Sequence, residues 1–366
     1  LNDDASLPTA EARPAAPIET DALVIGAGPA GLFQVFELGL LEIGAHVVDS
    51  LPYVGGQCIE LYPDKPIYDI PGVPRCTGRE LVALLTRQIE PFGTPFHLGQ
   101  QVSVLRRRED GRFDVETSAG LRFLARTVIV AGGVGSFQPR RLTVEGLERF
   151  EGSQVLYRVA NPAEFAGRRV MVVGGDETAL DRALEFAQDE GPQRAASVTL
   201  LHRRNVIQAP PGKLETMRAL CDAGRLQFLV GQVSGVEASG ERLDGVQLTD
   251  SEGKARVVPL DVLLVQLGVS PKLGPIAEWG MALERKQVVV DTEKFETSVP
   301  GLFAVGDIVT YPGKRKLLLC GFHEATLAAF GIAAHLLPGQ RIPLEYTTTS
   351  TRLHKVLRVA APPAGD

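Results

Sequence analysis

The stretch Ala22-Leu23-Val24-Ile25-Gly26-Ala27-Gly28-Pro29-Ala30-Gly31 decides the fold. Its apolar opening reads as a buried strand, and a helical pattern is predicted from Leu32. Between them lies G-x-G-x-x-G. Gly26 suits the tight turn, Gly28 lets a pyrophosphate approach the backbone, and Gly31 lets helix pack on strand, so phosphates would rest on the helix N-terminus. A second strand, Ala45-His46-Val47-Val48, ends in Asp49. That is about 20 residues past the loop, where an acid accepts hydrogen bonds from an adenosine ribose. Loop, strand and acid together predict a dinucleotide site.

The same plan returns farther along. Arg169-Val170-Met171-Val172-Val173 leads into Gly174-Gly175-Asp176-Glu177-Thr178-Ala179, then a helix through Ala187, then a strand Ser197-Val198-Thr199-Leu200-Leu201. Between the two units runs the apolar Thr127-Val128-Ile129-Val130-Ala131-Gly132-Gly133, and near the end Gly301-Leu302-Phe303-Ala304-Val305-Gly306-Asp307 closes on a carboxylate. The fold class that follows is α/β, with two Rossmann-like dinucleotide-binding domains.

Length and composition agree. A chain of 366 residues suits two domains. Cys58, Cys76, Cys221 and Cys320 match no zinc or disulfide spacing, so no metal site is expected and a reducing cytoplasm is the natural reading. With no long apolar segment and no basic-then-apolar leader in evidence, neither a membrane span nor a signal peptide is expected. A net charge of −6 argues against nucleic acid as the main partner. Residues 1–17, rich in Ala, Pro and acids, read as a flexible leader.

The G-x-G-x-x-G loop, the 127–133 strand and the late Gly-Asp strand resemble the flavoprotein reductases with two dinucleotide domains, of thioredoxin-reductase-like fold, the second domain inserted in the first. Disulfide reductases of that superfamily need two thiols. Here Cys58 follows Gly55-Gly56-Gln57 alone, and no cysteine lies between Cys76 and Cys221, so dithiol exchange lacks its resolving partner. A finer resemblance, from about residue 18 to the C-terminus, is to the thioredoxin-reductase-like ferredoxin (flavodoxin)–NADP+ reductases. It rests on Leu61-Tyr62-Pro63-Asp64-Lys65-Pro66-Ile67-Tyr68-Asp69, Phe137-Gln138-Pro139-Arg140-Arg141, Gly274-Pro275-Ile276-Ala277-Glu278-Trp279-Gly280, Gly306-Asp307-Ile308-Val309-Thr310-Tyr311 and Tyr346-Thr347-Thr348-Thr349-Ser350.

The resemblance implies an FAD-binding domain at 18–135 and 268–335, an NADPH-binding domain at 136–267, and an extension at 336–366 that covers the flavin of the partner subunit in a homodimer. It puts Asp49 on the adenosine ribose, Gln57 at the isoalloxazine, Tyr62 stacked on one flavin face, Val102 and Phe137 along the FAD site, and Asp307 on the ribityl chain. Tyr346 and Thr348 would cover the other face. The implied activity is hydride transfer between NADPH and flavin N5, with single electrons exchanged with a ferredoxin or flavodoxin. The cofactor carries that chemistry and no protein nucleophile is needed. Thr348 and Ser350 are the only candidates for proton traffic, and tail hydroxyls bonded to backbone are the alternative. Three basic runs, Arg106-Arg107-Arg108, Lys314-Arg315-Lys316 and the set Arg352, Lys355, Arg358, read either as solvated surface or as patches steering an acidic carrier.

The second loop departs from the family's GGGDSA. Gly174 and Gly175 remain, but Asp176 stands where a glycine normally underlies the pyrophosphate. Unit charges ~4 Å apart at a dielectric of ~20 repel by ~4 kcal/mol as an upper limit. The alternative is that Asp176 turns aside and caps the helix. Arg203 and Arg204, after His202, match the family's 2′-phosphate ligands, whereas Gln208 replaces a further arginine. Two other functions stay open: a redox sensor or interaction protein with an impaired NADPH site, and an NAD(P)H oxidoreductase for quinones or other acceptors.

Overall fold

The computed structural model describes residues 16–157, 162–191 and 194–359, so nearly all of the expected leader lies outside the described residues. The side chains of 136–139, 162–163 and 269–272 lie outside them too. The chain divides into two compact units, residues 1–136 with 272–366, and residues 137–271.

In the first unit the strand Ile18–Ile25 is central. It runs parallel to Ala45–Val48 on one side and to Arg122–Val130 on the other. Phe96–His97 and Leu302–Ala304 extend this parallel core. Val102–Arg107 and Phe113–Thr117 form an antiparallel meander on the beginning of Arg122–Val130. The run from Ala22 to Ile25 and the run from Thr127 to Val130 are buried throughout, as strands covered on both faces must be. Helix α1 (Pro29–Leu40) starts three residues earlier than the periodicity predicts, because Pro29 occupies the first helical position, where its fixed φ helps and its missing N–H costs nothing. A single turn, α2 (Gln57–Glu60), follows Gly55-Gly56, and α3 (Gly78–Ile89) opens with a reciprocal Thr77–Glu80 capping box.

The second unit has its own parallel sheet. The order is Val155–Leu156, Val262–Val265, Arg169–Val173, Ser197–His202, Gln227–Val230. Helices α4 (Glu177–Gln188) and α5 (Pro211–Asp222) cover one face through Leu180, Ala183, Ala187 and Leu220. An antiparallel sheet of Gln232–Ser239, Arg242–Thr249 and Ala255–Pro259 covers the other through Leu243, Val246 and Leu248.

The chain then returns to the first unit. Helix α6 (Leu318–Leu336) approaches α1 so closely that a Cβ on Gly321 would stand 3.3 Å from the Ala30 Cβ. By length and composition α6 is apolar enough to cross a bilayer, which corrects the expectation that the chain holds no long apolar segment. Here its Ala325, Ala328, Ala329 and Ile332 are wholly buried in the unit. The tail ends in the short helix α7 (Thr351–Val356).

Candidate functional site

The first glycine loop lies at the C-terminal end of the parallel strands, where α/β sheets bind ligands. Gly26 has φ +115°, and a Cβ there would fall 2.4 Å from the Ala131 carbonyl oxygen, so the turn admits no side chain. A Cβ on Gly31 would fall 1.9 Å from the Gly26 oxygen. Gly28 is the open position, with only the Gly56 Cα as near as 4.0 Å to a Cβ built on it. Gly28 is also the N-cap of α1, and no side chain caps that helix end. Its amides and its positive dipole end suit an anion.

Asp49 closes this loop from the neighbouring strand. Its two oxygens accept the Ala27 amide at 2.6 Å and the Leu51 amide at 2.7 Å, and burial pushes its carboxyl above the usual range although both hydrogen bonds oppose that. The Gln100 amide donates to the Asp49 carbonyl at 2.9 Å, which brings the buried Val102 to the same end of the sheet. Farther along, Gln57 Nε2 donates to Asp307 Oδ2 at 3.2 Å, joining two residues distant in sequence. Tyr62 meets the Cys58 thiol at 3.6 Å, and burial followed by that contact pushes its hydroxyl well above the usual tyrosine range. Cys58 is itself fully buried, and all four cysteines are free. Phe137 has its side chain outside the described residues.

The turn Gly306–Ile308 that carries Asp307 is held from both sides. Glu324 accepts the Gly306 amide at 2.7 Å, and Gln287 Nε2 donates to the Asp307 carbonyl at 3.3 Å. Sequence reasoning missed both residues. The signal for Glu324 was present: it is the one acid in the apolar Leu318–Leu336 run.

In the tail, the Thr349 and Ser350 amides donate to the Tyr346 carbonyl, forming a turn in which Tyr346 and Thr348 are exposed. The Ser350 hydroxyl accepts the Leu353 amide at 3.2 Å and meets Glu345, so it is taken up in capping α7. The basic runs are partly taken up within the fold, while Arg106, Arg315, Lys316 and Lys355 are exposed. Lys314 is buried against Glu324, Arg107 donates to the Pro300 carbonyl, and Arg108 lies 3.5 Å from both Asp110 and Asp114. Arg352 faces inward to Glu345 and Glu42, and Arg358 lies past the end of α7 at φ +55°, so the three do not share one helix face.

In the second unit Asp176 takes the capping alternative. It is the N-cap of α4, and its Oδ1 accepts the Ala179 amide at 3.0 Å. The Gln208 amide donates to the Gly175 carbonyl at 2.9 Å, which ties the loop to the segment after Arg203 and Arg204. Those two arginines are exposed. Gly175 is required by packing, since a Cβ there would fall 2.1 Å from the His202 ring. Burial, then Arg203 and Arg204, lower the His202 pKa, which favours the neutral ring.

Two units, each a parallel sheet with a glycine turn leading into a helix, define a two-domain protein of the dinucleotide-binding α/β class. A family model described as pyridine nucleotide-disulphide oxidoreductase matches residues 61–306. The ferredoxin–NADP reductase of Methylibium petroleiphilum is 64% identical over 94% of this chain and 94% of its own length. That of Albidiferax ferrireducens is 63% identical over 94% of this chain and 98% of its own. Among solved structures, a thioredoxin reductase from Lactococcus lactis has a TM-score of 0.59 at 21% identity, covering 87% of this chain and 99% of that one. Staphylococcus aureus bacillithiol disulfide reductase has a TM-score of 0.61 at 16%, covering 87% and 99%. The chain belongs to the ferredoxin–NADP reductase family, within the pyridine nucleotide-disulphide oxidoreductases. The structural likenesses are likenesses of fold, and the next cysteine after Cys58 in the chain is Cys76.

Proposed function

We propose that this chain is an FAD-dependent ferredoxin (or flavodoxin)–NADP+ reductase, working as a homodimer in the cytoplasm. The observation that carries the reading is the α1 N-terminus, uncapped behind an open Gly28 and flanked by Asp49, Gln57 and Asp307. These residues fit FAD. When bound, FAD supplies the exchange between a two-electron nicotinamide and a one-electron carrier. The protein binds and orients it: α1 amides hold the pyrophosphate, Asp49 and Val102 the adenosine end, Asp307 the ribityl chain, and Gln57 and Tyr62 the ring. The unit of residues 137–271 binds NADPH, with Gly174 and Gly175 at the turn and Arg203 and Arg204 on the 2′-phosphate. The exposed Tyr346 and Thr348 lie on the partner subunit's flavin.

The test is anaerobic stopped-flow mixing of the yellow protein with NADPH and then NADH, followed by ferredoxin-dependent reduction of cytochrome c. Bleaching of the flavin band, faster with NADPH, and carrier-dependent turnover are expected. A flavin that NADPH never bleaches, but that bleaches in Asp176→Gly, sinks the NADPH assignment and leaves the redox-sensor alternative.

A further inference from the structure

Glu324 is a wholly buried carboxylate with three donors. It accepts the Gly306 amide at 2.7 Å, the Tyr311 hydroxyl at 2.8 Å, and the ammonium of Lys314. The Lys314 side chain is only 7% exposed, and its Nζ also lies over the Tyr311 ring, 5.6 Å from the centroid. Desolvating both partners of such a pair consumes most of what their attraction returns, and apolar residues of similar volume would hold α6 equally well. Stability alone is therefore a poor reason for this arrangement.

Its position supplies a better one. Gly306 opens the turn whose next residue is Asp307, and Gly306 and Gly321 both press on Ala30 at the start of α1, where a Cβ on either would stand 3.2 or 3.3 Å from the alanine methyl. The ion pair thus sits one peptide from Asp307 and beside the helix end read above as the pyrophosphate seat. We propose that Lys314 and Glu324 form a positioning and charge-setting pair for the flavin. Glu324 fixes the Asp307 turn through the Gly306 amide, and Lys314 cancels the negative charge this anchor would otherwise place beside the cofactor. The proposal rests on the reading of the first unit as the FAD site.

The two charges act with opposite sign on flavin reduction, because added electrons are repelled by an uncompensated carboxylate and favoured by an uncompensated ammonium. Lys314→Met leaves Glu324 alone, and the flavin midpoint potential shifts negative. Glu324→Gln leaves Lys314 alone, and it shifts positive. The double variant, neutral at both positions, returns close to the wild-type potential. Each single variant also releases FAD more readily, by about tenfold in dissociation constant. A purely structural role would weaken FAD binding in both single variants without opposed potentials.

The experiment is spectroelectrochemical titration of the full-length holoprotein and its three variants, with FAD retention measured by dialysis. Opposed shifts that cancel in the double variant support the proposal; shifts of one sign, or none, overturn it. If the single variants do not fold, Tyr311→Phe withdraws one donor from Glu324 without changing net charge. A negative shift is then expected, and an unmoved potential overturns the proposal. A wild-type protein that takes up no FAD sinks the cofactor reading instead, a distinct result visible before any variant is made.

Discussion

At the scale of single residues, the two glycine loops have opposite helix ends. Gly28 leaves α1 uncapped, whereas Asp176 spends its own carboxylate on the Ala179 amide of α4. A helix end already carrying an anion is a weaker seat for a phosphate. Asp176→Asn keeps an N-capping side chain and removes the charge. It should tighten NADPH binding by about three- to tenfold, read by titrating the holoprotein, and an unchanged dissociation constant would place the carboxylate outside the nucleotide's field. Asp261 offers a second test. Hydrogen bonds from Arg169, chiefly from its guanidinium, hold the Asp261 carboxyl far below its usual value of 3.8. The folded state thus favours the ionised form. The stability gained is fully present above that value and is lost as the pH falls below it. Since Arg169 is about a third exposed, screening limits the contribution to about 1–2 kcal/mol. In Asp261→Asn, the acid-induced loss of stability below pH 3.8 should be smaller than in wild type, measured by urea unfolding across that range.

At the scale of elements, α7 shows how a helix too short to stand alone is retained. Arg352 donates to Glu345 at 2.8 Å, to Glu42 at 2.7 Å and to the Leu40 carbonyl at 3.3 Å, at the C-terminal end of α1, where a cation is favoured. Arg352→Ala should release α7 at a cost of about 1 kcal/mol, seen as faster amide hydrogen exchange at Leu357 and Val359 with the core of the first unit unaffected. The same helix marks the limit of reading this chain by pattern. The glycine turns and the Ala45–Val48 strand were legible, because turn chemistry and strand apolarity are local, whereas the hydrogen bond that joins Gln57 to Asp307 spans too much sequence for any local pattern to show. Whether a basic run faces water was not legible. Lys314 and Arg352 look like surface charge until the fold brings Glu324 and Glu42 to them. Asp176 was ambiguous for a related reason, since one carboxylate can crowd a ligand or cap a helix and only the loop geometry chooses.

At the scale of the whole molecule, the two units are unequal in how they are closed. Every strand of the second unit's two main sheets, and both of its cores, come from within residues 137–271. That fragment, excised, should unfold in one cooperative urea transition by circular dichroism. Residues 1–136 alone should not, because the C-terminal half of Arg122–Val130 loses Leu302–Ala304 and α1 loses the cover of α6. A cooperative, monomeric 1–136 fragment would refute this account of the core. The split also orders events at the ribosome. The first glycine loop emerges early, but its sheet is completed only when Leu302–Ala304 leaves the exit tunnel, and the turn at Gly306 is tied only when Glu324 follows. The inserted unit can fold while the earlier strands still wait. The first glycine loop is thus among the earliest parts of its unit to be made and among the last to be enclosed, so the chain carries an unfinished first unit for most of its synthesis.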